Sequence, residues 1–129
     1  MAFNGNFLCT SFKVEILKGV HNFTAASNQF KLALYDNSAT FTAATTAYTS
    51  TNEISGTNYT AKGNFLTSVT PVASSTTALT DFADEVFSTV TISAVRGALI
   101  FNEAATSDPT VCVLDFGADK AASSGDFTI

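Results

Sequence analysis

The stretch TISAVRGALIFN, residues 91–102, decides the fold class. Its last part contains the unbroken apolar run ALIF, residues 98–101, which is typical of a β-strand covered on both faces. The only arginine of the chain, Arg96, lies in the middle of the stretch and is followed by Gly97. A glycine inside a strand pattern indicates a bulge or a close approach of another backbone. The stretch therefore predicts a buried strand that must accommodate one charged side chain.

Further strand signals, separated by turn signals, lie on both sides of this stretch. The clearest are FKLALY, residues 30–35, and VCVLDF, residues 111–116, whereas residues 103–109 and 117–125 have the composition of loops. Shorter strands are predicted near residues 49–54, 59–61, 64–69, 78–82, 84–92 and 126–129. Seven to nine short strands at this spacing predict a mainly β protein. We expect a single antiparallel β-sandwich domain over residues 1–129, jelly-roll-like in topology.

One short N-terminal α-helix is predicted within SFKVEILKGVHNF, residues 11–23. Ser11 is a candidate N-cap, and Phe12, Ile16 and Val20 recur at helical spacing, which predicts a buried apolar stripe. Gly19 is a candidate for the end of the helix. The helix and the arm before it, about residues 1–23, form the non-sandwich part of the predicted domain.

The N-terminal arm, residues 1–9, has the apolar side chains of Phe3, Phe7 and Leu8 among small polar residues. Two interpretations stay open at this point. The arm lies over a neighbouring subunit or a larger assembly, or it is a frayed chain end.

Composition and charge exclude several classes of function. Charged residues make up 13% of the chain, and serine and threonine together make up about a quarter, which predicts a neutral, hydroxyl-covered exterior suited to contacts with other protein copies. The net charge is −5 and the six basic residues are scattered, so we expect no direct nucleic-acid binding and no anionic membrane binding. We see no signal peptide and no apolar run long enough to cross a bilayer. Cys9 and Cys112 are predicted to be buried thiols of a protein made in a reducing cytoplasm.

The candidate catalytic and metal-binding residues form no convincing constellation. The lone His21 has no marked nucleophile nearby, so a surface or helix-end role is expected. Residues 115–117, DFG, match a kinase tripeptide by coincidence, and we expect Asp115 to end a strand that Gly117 leaves. Asp81, Asp84 and Glu85 either hold a structural cation or form a solvated corner between strands. We therefore assign no catalytic, cofactor-binding or metal-binding residue and expect no enzyme.

Arg96 remains the residue with the most open role. Strand alternation places it on the same face as Ile92 and Ala94, which we expect to point inward. A lone arginine on a half-buried face usually pairs with a carboxylate, so the main hypothesis is a structural strut. An intersubunit contact and a ligand site are the alternatives. The candidate partners are Asp81, Asp84, Glu103 and Asp115.

The order of several segments resembles small virion structural proteins of tailed bacteriophages. These segments are FKVEILKGVHNF (12–23), FKLALY (30–35), TTAYTSTNEISGTNYTAKG (45–63), VRGALIFN (95–102) and VCVLDFGADKAASSGDFTI (111–129). The most specific parts are the NEISG turn with Tyr59, the RGALIFN strand and the LDFG loop. The virion proteins that the chain resembles continue somewhat beyond the position that corresponds to Ile129. Whether the chain ends natively at Ile129 therefore stays open.

The resemblance implies a passive role in a virion, with no cofactor and no catalytic residue. We expect a capsid decoration or cement protein that binds and stabilises the assembled head shell. A tail, collar or fibre component is the alternative, and a hydrolase is disfavoured. The expected partners are the major capsid protein or other virion proteins and further copies of the same chain, with a trimer favoured.

Overall fold

The computed structural model describes residues 3–25 and 29–129. In these ranges the chain forms one α-helix and seven β-strands. In chain order they are β1 (Phe7–Leu8), α1 (Thr10–Leu17), β2 (Phe30–Tyr35), β3 (Asn64–Phe65), β4 (Ser68–Ser74), β5 (Thr77–Phe82), β6 (Val86–Asn102) and β7 (Thr110–Thr128). With 51% of residues in strands and 6% in helix, the prediction of a mainly β, antiparallel protein with one short helix is confirmed.

The strands form two sheets of different size. A five-stranded antiparallel sheet has the order β1-β7-β6-β2-β3, and β4 and β5 form a separate two-stranded sheet. The long hairpin of β6 and β7 is the centre of the larger sheet. The jelly-roll-like sandwich topology stays a prediction, because the two sheets do not close on each other as two equal layers.

Both faces of the five-stranded sheet are buried near residues 98–101, as the apolar run predicts. Ala98 and Ile100 face one core, and Leu99 and Phe101 face the other. The first core contains, besides these, Phe23, Phe30, Leu32, Leu34, Ile54, Phe87, Val90, Ile92, Val95 and Val111. The second contains Phe3, Cys9, Ala33, Tyr35, Ala39, Phe41 and Val113. The alternation along β2 and β6 thus supplies side chains to two separate cores.

The structure corrects three sequence-based assignments. Residues 117–125, predicted as a loop, belong to β7. The strands predicted at residues 84–92 and 98–101 are parts of one strand, β6, which begins at Val86. No strand includes residues 49–54 or 59–61; Glu53 makes only an isolated bridge to Tyr35. Small residues and glycines suggested loops, yet the register of β6 and β7 is shifted at several bulges that absorb them. The predicted loop at residues 103–109 is confirmed.

The start of helix α1 differs from the predicted start, whereas its end agrees with the prediction. Cys9 occupies the N-cap position and makes no side-chain cap, so the prediction of Ser11 as N-cap is wrong. Gly19 does follow the helix, with a φ of 71°. The amides of Gly19 and Val20 donate to the carbonyls of Ile16 and Glu15, at 3.2 and 3.0 Å. This pair of bonds is the Schellman pattern that a left-handed glycine permits.

The described part of the N-terminal arm lies on its own sheet. Phe3 is fully buried in the second core, with its ring 5.9 Å from that of Phe41 in an edge-to-face arrangement. Phe7 and Leu8 pair with Val113 and Cys112. Both earlier interpretations, an arm over a neighbouring subunit and a frayed end, are therefore wrong for residues 3–9, whereas residues 1 and 2 lie outside the described ranges.

In the described ranges, α1 is the single helix, and it is too short and insufficiently apolar to cross a membrane.

Candidate interaction surface

His21 lies inside the protein and not at its surface. Its side chain is fully buried, and its ring packs against Phe12 and Phe30, with centroids 5.1 and 6.2 Å away. Nε2 is 2.8 Å from Oε2 of Glu15, and Nδ1 is 3.2 Å from Nδ2 of Asn102. The expected surface or helix-end role is therefore wrong.

The hydrogen bonds of Asn102 fix the tautomer of His21. Oδ1 of Asn102 accepts the amide N–H of Ala104 at 3.1 Å, so its Nδ2 must face the imidazole and donate to Nδ1. Nε2 of His21 then carries the proton and donates it to the carboxylate of Glu15. Both ring nitrogens are occupied, so this arrangement holds the segment after α1 against the end of β6.

Arg96 pairs with an acidic side chain of the neighbouring strand. Its Nε is 3.3 Å from Oδ1 of Asp115, and its Nη1 is 3.6 Å from Oδ1 of Asp119. Asp115 is a confirmed partner, and the other candidates, Asp81, Asp84 and Glu103, are wrong. The side chain of Arg96 is 12% exposed and that of Asp115 is 11% exposed, so the pair is largely shielded from water.

The face predicted for Arg96 is wrong, because bulges change the alternation of β6. Ile92 and Val95, three residues apart, both lie in the first core, while Ala94 is exposed and has a φ of 56°. The register shifts again between Val95 and Gly97. A Cβ on Gly97 would collide with the carbonyl of Leu114 and the ring of Phe3, so the predicted close approach at this glycine is confirmed.

Asp115 does not end a strand. β7 continues through Gly117, whose φ of 74° marks a bulge, and the amide of Gly117 donates to Oδ1 of Asp115 at 2.9 Å. This backbone hydrogen bond is the main cause that lowers the pKa of Asp115 below its usual value. The hydrogen bond from Arg96 lowers the pKa further.

The acidic residues 81, 84 and 85 line a cavity of about 230 Å³ at the base of the β4–β5 hairpin. Asp81 accepts the amide of Phe82 at 2.8 Å, and Glu85 accepts Nδ2 of Asn64 at 2.7 Å. Within residues 3–25 and 29–129, no group of three or more histidine, cysteine or acidic side chains is placed to hold a metal ion. The remaining walls of the cavity are mainly apolar.

The two cysteines lie on opposite faces of the sheet. Cys9 belongs to the second core, and Cys112 packs against the first. Both thiols are free, and Cys9 is buried while Cys112 is partly exposed. Burial raises the pKa of Cys9 and raises that of Cys112 to about 12, so both are held as uncharged thiols at neutral pH.

Glu53 collects a group of polar side chains that the sequence does not reveal as a cluster. Its Oε1 accepts the hydroxyl of Tyr59 at 2.8 Å and the amide of Lys62 at 2.6 Å, and its Oε2 accepts the hydroxyl of Tyr48 at 2.5 Å. Tyr59 in turn accepts the amide of Leu34 in β2 at 2.9 Å. The signal in the sequence is the NEISG turn. The three partners of Glu53 lie only 5, 6 and 9 residues away from it, but their residue types do not show that they converge on one carboxylate.

The chemical state of this cluster follows from burial and from the carboxylate. Desolvation raises the pKa of the Tyr48 and Tyr59 hydroxyls well above the usual range, and Glu53 raises both further. The hydroxyls are therefore donors and not nucleophiles at neutral pH. Their contacts attach the loop between β2 and β3 to the sheet.

Seven of the ten exposed large apolar side chains of the described residues lie in two parts of the surface. Helix α1 and the turn after it expose Val14, Ile16, Leu17 and Val20, with Leu17 88% exposed. The predicted buried stripe on Ile16 and Val20 is therefore wrong, and only Phe12 of that stripe packs against the cores.

The β4–β5 hairpin is the second exposed apolar part. Every residue from 69 to 81 is exposed, including Val69, Val72 and Leu79. At its base, the ring of Phe82 contacts Phe30, with centroids 5.6 Å apart, and anchors the hairpin to the first core. Beyond this anchor the hairpin projects from the domain.

A groove of about 450 Å³ lies along the part of β7 that is far from the loop joining β6 and β7. Phe116, Phe127 and Ile129 form its apolar wall, and Lys120 also lines it. Among the described residues that line this groove, Lys120 is the one charged side chain and none is acidic.

Scans of the chain against protein-family models, curated proteins and solved structures found no match.

Proposed function

We propose that this chain is a structural protein of a tailed-bacteriophage virion that decorates the assembled head shell. The resemblance described above supports this role. A second support is that the clustered polar side chains bond to each other within the chain, whereas apolar side chains of α1 and of the β4–β5 hairpin are exposed. His21 and Glu53 form hydrogen bonds within the chain, and Arg96 forms an ion pair with Asp115. The groups that remain for partners are mainly aliphatic and hydroxyl side chains.

The observation that carries the proposal is the exposed apolar surface of α1. Val14 and Leu17 are one helical turn apart and are 49% and 88% exposed, and Ile16 and Val20 extend the patch. A soluble helix normally buries such side chains, so an apolar helix surface of this kind marks a protein contact. The proposed occupant is a surface of the major capsid protein in the assembled shell.

Stabilisation of the shell follows from linkage. A protein that binds only the assembled lattice shifts the assembly equilibrium toward that lattice by mass action. Each copy needs only modest affinity, because many copies act on one shell. The fixed Schellman turn at Gly19 keeps the apolar helix surface in one orientation, so little order is lost on binding.

The first experiment locates the chain on virions of the phage that encodes it. We expect cryo-electron microscopy to show copies distributed over the head, with α1 against the major capsid protein. Copies confined to the neck, tail or fibres would replace the proposal by the alternative of a tail component. Absence of the chain from purified virions, measured by mass spectrometry, would contradict both.

The second experiment uses heads that lack the protein and measures rebinding by co-sedimentation. We expect Leu17→Asp to lose binding, since it places a charge in the apolar contact but alters a side chain that is 88% exposed in the free protein. Thr106→Asp adds the same charge in the exposed loop before β7 and serves as the matched control. Equal binding of Leu17→Asp and the unmodified chain would exclude α1 as the contact.

A further inference from the structure

The β4–β5 hairpin has an architecture that is incomplete in a monomer. Its strands pair only with each other among the described strands, and residues 69–81 are exposed throughout. An isolated two-stranded hairpin is marginally stable in water and usually needs a further strand or a packed face. The hairpin therefore has the properties of a half-sheet that a partner completes.

The two edges of the hairpin differ in their ability to accept another strand. The edge of β4 includes Pro71, which has no amide hydrogen, and its register shifts between Val69 and Val72. Proline and bulges are the features that protect sheet edges from further pairing. β5 contains neither proline nor a bulge, and its first four residues, 77–80, carry no charge. The edge of β5 is thus the open one.

The turn determines which backbone groups of β5 point outward. Ser74 pairs with Thr77 across the two-residue turn at Ser75 and Thr76, and Ser75 has a φ of 55°. In a two-residue hairpin the pair next to the turn exchanges both hydrogen bonds, and the pairs alternate from there. Thr77 and Leu79 therefore bond to β4. Ala78 and Thr80 direct their N–H and C=O groups to the free edge.

Charge favours a second copy of the same chain as the occupant. The chain has a net charge of −5, so two copies repel each other over most of their surfaces. Residues 63–80 contain no charged side chain and form the longest such run in the sequence. Val72 and Leu79 are cross-strand partners and are 61% and 48% exposed, which adds an apolar contact to the neutral edge.

We propose that β5 pairs antiparallel with β5 of a second copy, about a two-fold axis at Leu79. This alignment places Ala78 opposite Thr80 of the second copy, so the outward N–H and C=O groups of both chains meet. Asp81 then lies opposite Thr77 of the second copy, and no two carboxylates face each other. The result is a four-stranded sheet in the order β4-β5-β5-β4, with Val72 and Leu79 of both copies on one face.

The contact is independent of the proposed shell binding and is weaker than an obligate interface. One pair of short strands buries less area than a standard interface, so we expect a dissociation constant on the order of 100 µM. On a shell, a second attachment through α1 would raise the effective concentration of neighbouring copies. A two-fold contact predicts dimers in solution, in contrast to the trimer that the resemblance favours.

The test is sedimentation equilibrium of the purified full chain at concentrations up to about 1 mM, since the expected dissociation constant must be bracketed. We expect a monomer–dimer equilibrium. Thr80→Pro removes an outward N–H from each copy, and two-fold symmetry doubles the loss, so we expect the dissociation constant to rise about tenfold or more. Ala73→Pro makes the same change on the protected edge of β4 and is the matched control, for which we expect no change.

A second variant keeps the test decisive if Thr80→Pro disturbs the hairpin. Leu79→Lys changes a side chain that is exposed in the monomer and places two positive charges at the two-fold axis. We expect it to weaken the dimer while the unfolding midpoint stays unchanged. A monomer at every concentration, a trimer, or a dimer that Thr80→Pro and Leu79→Lys leave intact would overturn the proposal. None of these outcomes depends on whether the chain binds a head shell.

Discussion

Nε of Arg96 lies 3.3 Å from Oδ1 of Asp115, across the long hairpin of β6 and β7. The same carboxylate oxygen accepts the amide of Gly117, and the amide of Asp115 donates to Oδ1 of Asn6 at 2.7 Å. One aspartate therefore joins β6, a bulge in β7 and the N-terminal arm. The ion pair serves the fold at the place where the strand alternation changes.

The first prediction concerns the pH dependence of this aspartate. Because the folded state lowers the pKa of Asp115, its carboxylate stabilises the fold above the unfolded-state pKa of about 3.9. That contribution is lost as the pH falls through the lower, folded-state pKa. We expect Asp115→Asn to destabilise the protein by roughly 2 kcal/mol at neutral pH. The difference should shrink at more acidic pH, in urea unfolding measured over a pH series.

Asp119→Asn is the control for the same arginine. Asp119 is 3.6 Å from Nη1 of Arg96 and its side chain is 55% exposed, so we expect a change below about 0.5 kcal/mol. A difference between Asp115→Asn and the unmodified chain that stays constant down to acidic pH would contradict the assignment of the lowered pKa to folding.

The second prediction concerns the carboxylate of Glu53. Glu53→Ala removes the acceptor of two tyrosine hydroxyls and of the Lys62 amide. These donors are partly buried, so each lost acceptor costs toward the lower end of about 1–3 kcal/mol, and we expect a destabilisation of roughly 2 kcal/mol. Thermal or urea unfolding measures it directly.

Glu103→Ala provides the comparison for Glu53→Ala. Glu103 contacts Lys31 and Lys62 at 3.5 and 3.4 Å, and such partly exposed ion pairs contribute less than about 1 kcal/mol. Equal losses for the two variants would show that Glu53 acts as one more surface charge and not as the acceptor of a partly buried cluster.

The extent to which the sequence predicts the fold is clearest along the long hairpin. The apolar run at residues 98–101 identifies a strand covered on both faces, and the structure confirms it. The strands were harder to predict in the first half of β6 and the second half of β7. There Thr89, Ala94 and Ser124 have positive φ values of 51°, 56° and 48°. Such bulges break the alternation of two residues on which strand prediction and the predicted face of Arg96 depend.

The helix and the polar clusters show a second limit of the sequence. The helical spacing of Phe12, Ile16 and Val20 predicts a helix, but periodicity alone does not tell whether an apolar surface meets the core or a partner. The bond between His21 and Asn102 and the bond between Tyr59 and Leu34 join residues that are far apart in sequence, so only the folded chain brings them together. Asp115 was one of four predicted partners of Arg96, and only the pairing of β6 with β7 in the folded chain selects it.

The third prediction follows from the unpaired hydroxyl of Ser11. In the described structure its Oγ is buried and has no hydrogen-bond partner. An unsatisfied buried hydroxyl costs about 1 kcal/mol or more, and alanine has the better helix propensity. We therefore expect Ser11→Ala to raise the free energy of unfolding by about 1 kcal/mol. If Ser11 were the N-cap, the same substitution would lower it by about 1 kcal/mol.

Thr10→Ala is the control for this substitution, since Thr10 is the exposed neighbouring residue of the same helical turn. We expect a change within about 0.5 kcal/mol. Urea unfolding of Ser11→Ala gives the sign of the stability change. A gain shows that the Ser11 hydroxyl is buried without a hydrogen-bond partner, and a loss shows that it caps the helix.

The fourth prediction compares two glycines with nearly the same backbone conformation. Gly19 and Gly63 have φ values of 71° and 65°, but a Cβ on Gly19 would meet open space. A Cβ on Gly63 would collide with the carbonyl oxygen of Leu32 and lie 2.9 Å from Cα of Ala33. Both alanine variants lose about 1–2 kcal/mol because an L-residue is placed in the left-handed region. Only Gly63→Ala also forces the loop before β3 away from the backbone of β2.

We therefore expect Gly63→Ala to destabilise the protein by at least about 2 kcal/mol more than Gly19→Ala, since overpacking against backbone adds to the conformational cost. Urea unfolding of the two variants at the same temperature gives this difference. Gly63 lies one residue after Lys62, whose amide donates to Glu53, so displacement of the loop also weakens that hydrogen bond. Equal losses for the two variants would mean that the loop moves freely from β2, and the tyrosine cluster would then not hold it in place.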